Sequence, residues 1–330
     1  YLRGENKMTV FAVISVISSL VMIVSNIITV TVINLGAAAL IVSTLVTNMV
    51  MLILYVGCSK KLPSPNAVDL ALNKRILKYS IPLVPMVVST WILTTASRMI
   101  LLYFCGEESV GIYGIGVRFV NIVNVFSNSI YMAYTTFAFS SKEEENNREV
   151  YSIILDVMNL FLTAVVFFVC IFSLDIFVDP QYYQAFILLP GLLFAQLFYA
   201  ANTIVGYGLA FEKRSDLSLL CVTTAAIVSV VLNFIFIPKY GGLAASLTTW
   251  AGYGVMLIMT NYFSQKVYKC PYKVKKIIVI NLIILAVVLF SLNYLSLVYR
   301  IVICCIVLAG LIYSYKDTVK LLYNVLTKRF

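Results

Sequence analysis

Two arginines stand inside stretches of sequence that are otherwise apolar and free of acidic residues. Arg98 lies in the run 81–104 and Arg118 in the run 110–139. A guanidinium presents its donors in a planar fork, which suits bidentate contact with phosphate or carboxylate oxygens. Buried without a partner it is costly, so each arginine needs water or an anion beside it. Helical spacing gathers further polar groups around them. At 100° per residue, Gly114, Arg118, Asn121, Asn124, Asn128, Tyr131 and Thr135 share one arc, and Trp91, Thr94, Thr95 and Arg98 share one face of the preceding helix. A polar stripe of that height faces protein or water, not lipid. It either lines a cavity for an anionic cargo or holds helices together through mutual hydrogen bonds. Counted from the expected outer helix ends, Arg98 is about 10 Å deep and Arg118 about 12 Å, a matched pair.

Other residues are less specific. Gln196 and Asn202, on a later run, fit the cavity or helix packing equally well. Asp156, near the inner end of its run, either snorkels or pairs with Arg148, and the Glu143-Glu144-Glu145 tract reads as a solvated loop. There is no His, which removes the commonest proton shuttle and metal ligand. The seven Cys show no C-x-x-C spacing and read as small hydrophobes. The sequence contains no hydrolytic triad, carboxylate pair, Gly-rich phosphate loop or metal-ligand cluster. Catalytic residues, metal ions and cofactors are therefore not expected, and the chain does not read as an enzyme.

The elements that must position these residues follow from composition. Of 330 residues, 62% are hydrophobic and 12% charged, with a mean hydropathy of +0.98; soluble domains carry about 25% charged residues. This excludes a soluble globular enzyme and a disordered chain. A spanning helix needs about 20 apolar residues. Ten runs meet or approach that length: 8–32, 37–57, 81–104, 110–139, 152–177, 185–210, 215–237, 241–263, 277–294 and 298–315. Their continuity excludes a β-barrel. The expected fold class is an all-α polytopic membrane protein of about ten transmembrane helices.

The basic residues agree with this count. When successive loops are assigned alternately, starting inside, twenty Lys and Arg fall on the cytoplasmic side and two, Lys239 and Arg300, on the other. That bias places both ends of the chain in the cytoplasm. It also accounts for the net charge of +10 without nucleic acid.

A repeat divides the chain. Gly4-Glu5-Asn6-Lys7, a long apolar helix, Asn26 and then Gly36-Ala37-Ala38-Ala39 are echoed by Phe211-Glu212-Lys213-Arg214, another apolar helix, Asn233 and then Gly241-Gly242-Leu243-Ala244-Ala245. The period is six helices in the same orientation, as in parallel-repeat transporters. If the first two helices close a six-helix unit, four more helices are expected to precede Tyr1.

Four stretches, in order and spacing, carry a family resemblance: Leu2-Arg3-Gly4-Glu5-Asn6-Lys7-Met8, Tyr79-Ser80-Ile81-Pro82-Leu83-Val84-Pro85, Ser97-Arg98 and Glu107-Glu108-Ser109-Val110-Gly111-Ile112-Tyr113. The chain resembles the bacterial polysaccharide transporter family, the O-antigen and capsule repeat-unit flippases of the multidrug/oligosaccharidyl-lipid/polysaccharide exporter superfamily. Ser97 departs from the family's usual Asp and leaves Arg98 without an adjacent acid. The resemblance implies an N-terminally truncated chain holding helices five to fourteen of fourteen. The expected division is the end of a first bundle (1–57), a cytoplasmic linker (58–80), a complete second six-helix bundle (81–263), a basic loop (264–276) and two C-terminal helices with a tail (277–330). The implied cargo is an undecaprenyl-diphosphate-linked oligosaccharide in the bacterial plasma membrane, with a polysaccharide polymerase and chain-length proteins as partners. Arg98, Arg118, Asn121, Asn124, Asn128, Trp91 and Thr94 are the expected cavity residues, with Gln196 and Asn202 as further candidates. The alternatives are a cation-coupled multidrug exporter of the same superfamily and a membrane polysaccharide polymerase. The first calls for buried acids and the second for a long outer loop.

Overall fold

The computed structural model describes residues 8–34, 38–59, 83–140, 147–176, 184–294 and 297–316, with a few single positions between and after them. All the regular structure among them is helical. The chain divides into two compact units, Tyr1–Lys74 and Arg75–Phe330.

The first unit is a helical hairpin. Helix α1 (Met8–Ile27) ends in a π-helical turn, Ile28–Val32, and α2 (Ala38–Ser59) returns beside it. The turn uses positive φ at Asn34 (56°) and Gly36 (54°), the region that Gly and Asn enter most readily. Thr29 and Ser43 share a 3.0 Å hydrogen bond across the pair. Hydroxyls such as Ser18 and Thr47 bond back to the carbonyl four residues earlier, which lets them sit in an apolar helix without an unmet donor. Most of the long apolar side chains point outward, for example Ile23, Ile41 and Ile53. That arrangement suits a lipid solvent and no aqueous one.

The second unit contains α3 (Leu83–Ser140), α4 (Asn147–Ile176), α5 (Gln184–Val205), the short α6 (Tyr207–Phe211), α7 (Ser215–Val267), α8 (Val274–Tyr294) and α9 (Leu297–Ser314). Neither α3 nor α7 is one straight rod. Asn233 and Thr248 are hydrogen-bonded, yet a straight helix would hold them about 22 Å apart. Thr94 and Asn121 line one cavity, against about 40 Å on a straight helix. Each helix folds back at a glycine with positive φ, Gly106 (79°) in α3 and Gly241 (56°) in α7. With each arm counted, the described residues form ten helical segments of eighteen residues or more, in register with the ten runs read from sequence. Six continuous stretches among the described residues are long and apolar enough to cross a membrane, the two hairpins included.

Helix α5 is the hub of this unit, and 83% of the most apolar window in Ala185–Phe211 is buried. It packs against both hairpins, α4 and α8. Small residues permit the close approach. A Cβ on Gly191 would lie 3.0 Å from the backbone carbon of Ser246, and one on Gly252, in α7, 2.9 Å from Leu93 and Ser229. At the end remote from Gly106 and Gly241, edge-on aromatic pairs such as Tyr134–Tyr207 and Phe211–Tyr268 tie α3, α6 and the loop after α7 together.

Two local expectations change. Arg148 does not pair with Asp156: its guanidinium lies over the Tyr268 ring at 4.9 Å, while buried Asp156 accepts a bond from Thr318 and faces Lys276 and Lys273. The neighbouring Asn159 donates to the Tyr315 hydroxyl at 2.9 Å and accepts from Asn281, which anchors α8 and the residues after α9 to α4. The basic loop is shorter than expected, since α7 runs to Val267 and α8 begins at Val274. Pro85 occupies the first turn of α3, where its missing N–H costs nothing. Pro82 and most of the expected linker lie outside the described residues.

Candidate functional site: a polar cavity in the second unit

Residues from four helical segments enclose a cavity of about 170 Å³. The first arm of α3 contributes Thr94 and Arg98, and its second arm Tyr113, Asn121 and Asn124. Gln196 enters from α5, and Thr249 and Tyr253 from the second arm of α7. Val117, Val120, Leu192 and Ala195 complete the wall. Thr94 and Asn121 are exposed and form the mouth, while Gln196, Tyr113, Thr249 and Tyr253 are buried and form the floor.

The interior carries donors that the protein leaves unused. Arg98 Nε and Gln196 Nε2 are both buried and have no hydrogen-bond partner among the described residues. Among the described residues no carboxylate lines the cavity. Arg98 lies close to the Tyr113 hydroxyl, which also faces Thr249 and Ser97.

One helical step from Arg98, the side chains close on themselves. Asn233 Nδ2 donates to Ser97 Oγ at 3.0 Å, Ser97 Oγ shares a 3.0 Å bond with Thr249 Oγ1, and Thr248 donates to Asn233 Oδ1. Ser97 and Asn233 are fully buried. This node clamps the first arm of α3 to both arms of α7, and so fixes the helical phase that directs Arg98 into the cavity.

The sequence-derived residues divide. Arg98, Thr94, Asn121, Asn124 and Gln196 are brought together. Arg118, Asn128 and Trp91 are exposed and do not line the cavity, although Arg118 lies one turn from Asn121 on the same stripe. Asn202, half-buried on α5, has a buried Oδ1 without a partner and also lies outside the lining. Nor are the two arginines at equal depth. The second arm of α3 is helical from residue 107, not 110. Arg98 is therefore about 12 Å from Gly106 along its arm and Arg118 about 18 Å along the other.

Tyr113, Tyr253, Thr249 and the Ser97–Asn233 node escaped the sequence reading. A signal for them existed. Ser43 follows Gly36 by seven residues, Thr248 follows Gly241 by seven, and Tyr113 follows Gly106 by seven. Each reaches a polar residue on the opposite arm: Thr29, Asn233 and Ser97. Seven residues are two helical turns, so each polar group stands below its turn on the inward face of the hairpin.

The sequence profile of the polysaccharide biosynthesis protein family matches residues 1–185. The chain belongs to that family. The matched region holds the first unit, α3, all of α4 and the first residues of α5, and so Arg98, Asn121 and Asn124; Gln196, Thr249 and Tyr253 lie beyond it. An uncharacterized membrane protein of Methanocaldococcus jannaschii is 27% identical over 195 residues, 56% of this chain and 38% of its own length. Among solved structures, the lipid II flippase MurJ in an inward closed conformation superposes with a TM-score of 0.62 at 16% identity, over 92% of this chain and 66% of that one. This likeness establishes the fold. The chain spans 38% of the curated relative and 66% of the flippase chain.

Proposed function

We propose that the protein is a flippase that moves undecaprenyl-diphosphate-linked oligosaccharide repeat units across the bacterial plasma membrane for O-antigen, capsule or exopolysaccharide synthesis. In this reading it is a transporter without a catalytic step. Both ends of the chain are cytoplasmic, and a polysaccharide polymerase and chain-length proteins receive the cargo outside.

One observation carries the reading: Arg98 Nε and Gln196 Nε2 are unpaired donors inside an acid-free cavity within a membrane-spanning bundle. Stripping water from a hydroxyl costs several kcal/mol in hydrocarbon, so a sugar head group crosses only where protein groups replace that water. The exposed stripe of Arg118, Asn121 and Asn128 gives the head group a polar track, while the prenyl tail stays in lipid. Arg118, exposed on that stripe, suits the diphosphate by its forked donors. An inside-negative potential favours outward movement of this anionic head group by about 2.3 kcal/mol per charge per 100 mV.

Deletion of the gene in its host tests the proposal. The expected result is lipid-linked repeat units accumulating on the cytoplasmic leaflet with surface polysaccharide lost, both reversed by the restored gene. Unchanged surface polysaccharide in the deletion strain contradicts it.

A further inference from the structure

We infer that the cavity behind Thr94 and Asn121 seats a single sugar ring of the cargo, not its diphosphate; this rests on the flippase reading above. Three side-chain amides, Asn121, Asn124 and Gln196, line it. Each amide both donates and accepts, whereas a diphosphate at neutral pH is almost wholly an acceptor and leaves amide oxygens unpaired. Hydroxyl groups satisfy both halves of an amide. The remaining wall fits the same ligand. Tyr113 and Tyr253 offer aromatic surface with a polar tip, and Val117, Val120, Leu192 and Ala195 are apolar. A pyranose has apolar C–H faces and a polar rim, which matches that alternation. A phosphate has no apolar face.

Size points the same way. A volume of about 170 Å³ equals about six water molecules at ~30 Å³ each. That is the scale of one ring, with the rest of the cargo outside the mouth. Arg118 stands outside the mouth, one turn from Asn121 and exposed. The arrangement divides the labour: Arg118 outside meets the diphosphate, while Arg98, inside with its Nε unpaired, donates to a hydroxyl of the sugar that the cavity reads. The cavity is thus the determinant of sugar specificity.

The test uses the full-length protein in lipid nanodiscs and two probes. One is the lipid-linked repeat unit extracted from the host, the other undecaprenyl diphosphate without sugar. Gln196→Met and Asn124→Leu remove amides at nearly constant volume. Each is expected to weaken binding of the glycosylated lipid about tenfold, the loss of one buried hydrogen-bonding group, and to leave the bare lipid within about twofold. Equal losses for both lipids, or none for the glycosylated one, overturn the sugar subsite. If one variant fails to fold, the other decides. If the unsubstituted protein binds neither lipid, the flippase reading itself falls, and the subsite with it.

Discussion

The side-chain amide of Asn233 donates to the hydroxyl of Ser97 at 3.0 Å, joining the α7 hairpin to α3 one residue before Arg98. Both residues are completely buried, and Asn233 also accepts from Thr248. Asn233→Ala removes one hydrogen bond from each of two groups, Ser97 and Thr248. We expect it to destabilise the protein by about 1–2 kcal/mol, read by denaturant titration in detergent. The double variant with Ser97→Ala should cost little more than Asn233→Ala alone, because the two share one network. Fully additive losses would mean that they act independently.

Gly106 has φ 79° and ψ −180°, a conformation almost confined to glycine. A Cβ there meets nothing within 4 Å, and the same holds at Gly111, whose φ is not positive. Space is therefore equal at the two sites and only backbone conformation differs. Gly106→Ala should lose about 1–3 kcal/mol. Gly111→Ala should be neutral or gain up to about 1 kcal/mol from helix propensity. Comparable melting temperatures for the two variants would contradict the hairpin at Gly106.

Cys270, in the loop between α7 and α8, is buried, and burial pushes its thiol above the ordinary range. The Tyr272 phenol is raised for the same reason. The folded state therefore disfavours both anions. The stability they contribute is full below the ordinary thiol and phenol values and falls as pH rises past them, when the unfolded chain ionises first. Cys270 should resist maleimide at pH 7.5 in the folded protein and react once it is unfolded. Rapid labelling of the native protein at that pH would place this loop differently.

Orientation rests on the asymmetry of the basic residues. A cysteine introduced at Lys269 should be protected from a membrane-impermeant reagent in intact cells and labelled in inverted vesicles. One placed at Lys239 should behave oppositely. Labelling of the Lys269 site from outside would reverse the topology.

Much of the architecture was legible because apolar run length and loop charge act locally. The runs 81–104 and 110–139 became the two arms of α3, and 215–237 and 241–263 those of α7. The π-helical turn at Ile28–Val32 gave no such signal, since its residues fit an α-helix equally well. In the site, Arg98, Asn121 and Asn124 could be placed by helical period on adjacent arms. Arg118 lies one residue, and so 100°, from Val117 of the lining, a difference that depends on where the turn falls. Tyr253 and Thr249 come from a hairpin more than one hundred residues away. Period cannot report which distant helix face completes a cavity. Asn233 was visible as a repeat marker, but its bond to Ser97 is a tertiary contact.

The most direct test of the account is surface polysaccharide output from Arg98→Ala, Arg98→Lys and unsubstituted protein at matched membrane levels. With Arg98 as a cargo-contacting group, alanine should lower output about tenfold or more while protein level holds, with lipid-linked repeat units accumulating on the cytoplasmic leaflet. Lysine should restore part of the output, since it keeps the charge but not the fork. Full output from well-folded Arg98→Ala would contradict the cavity's role in transport.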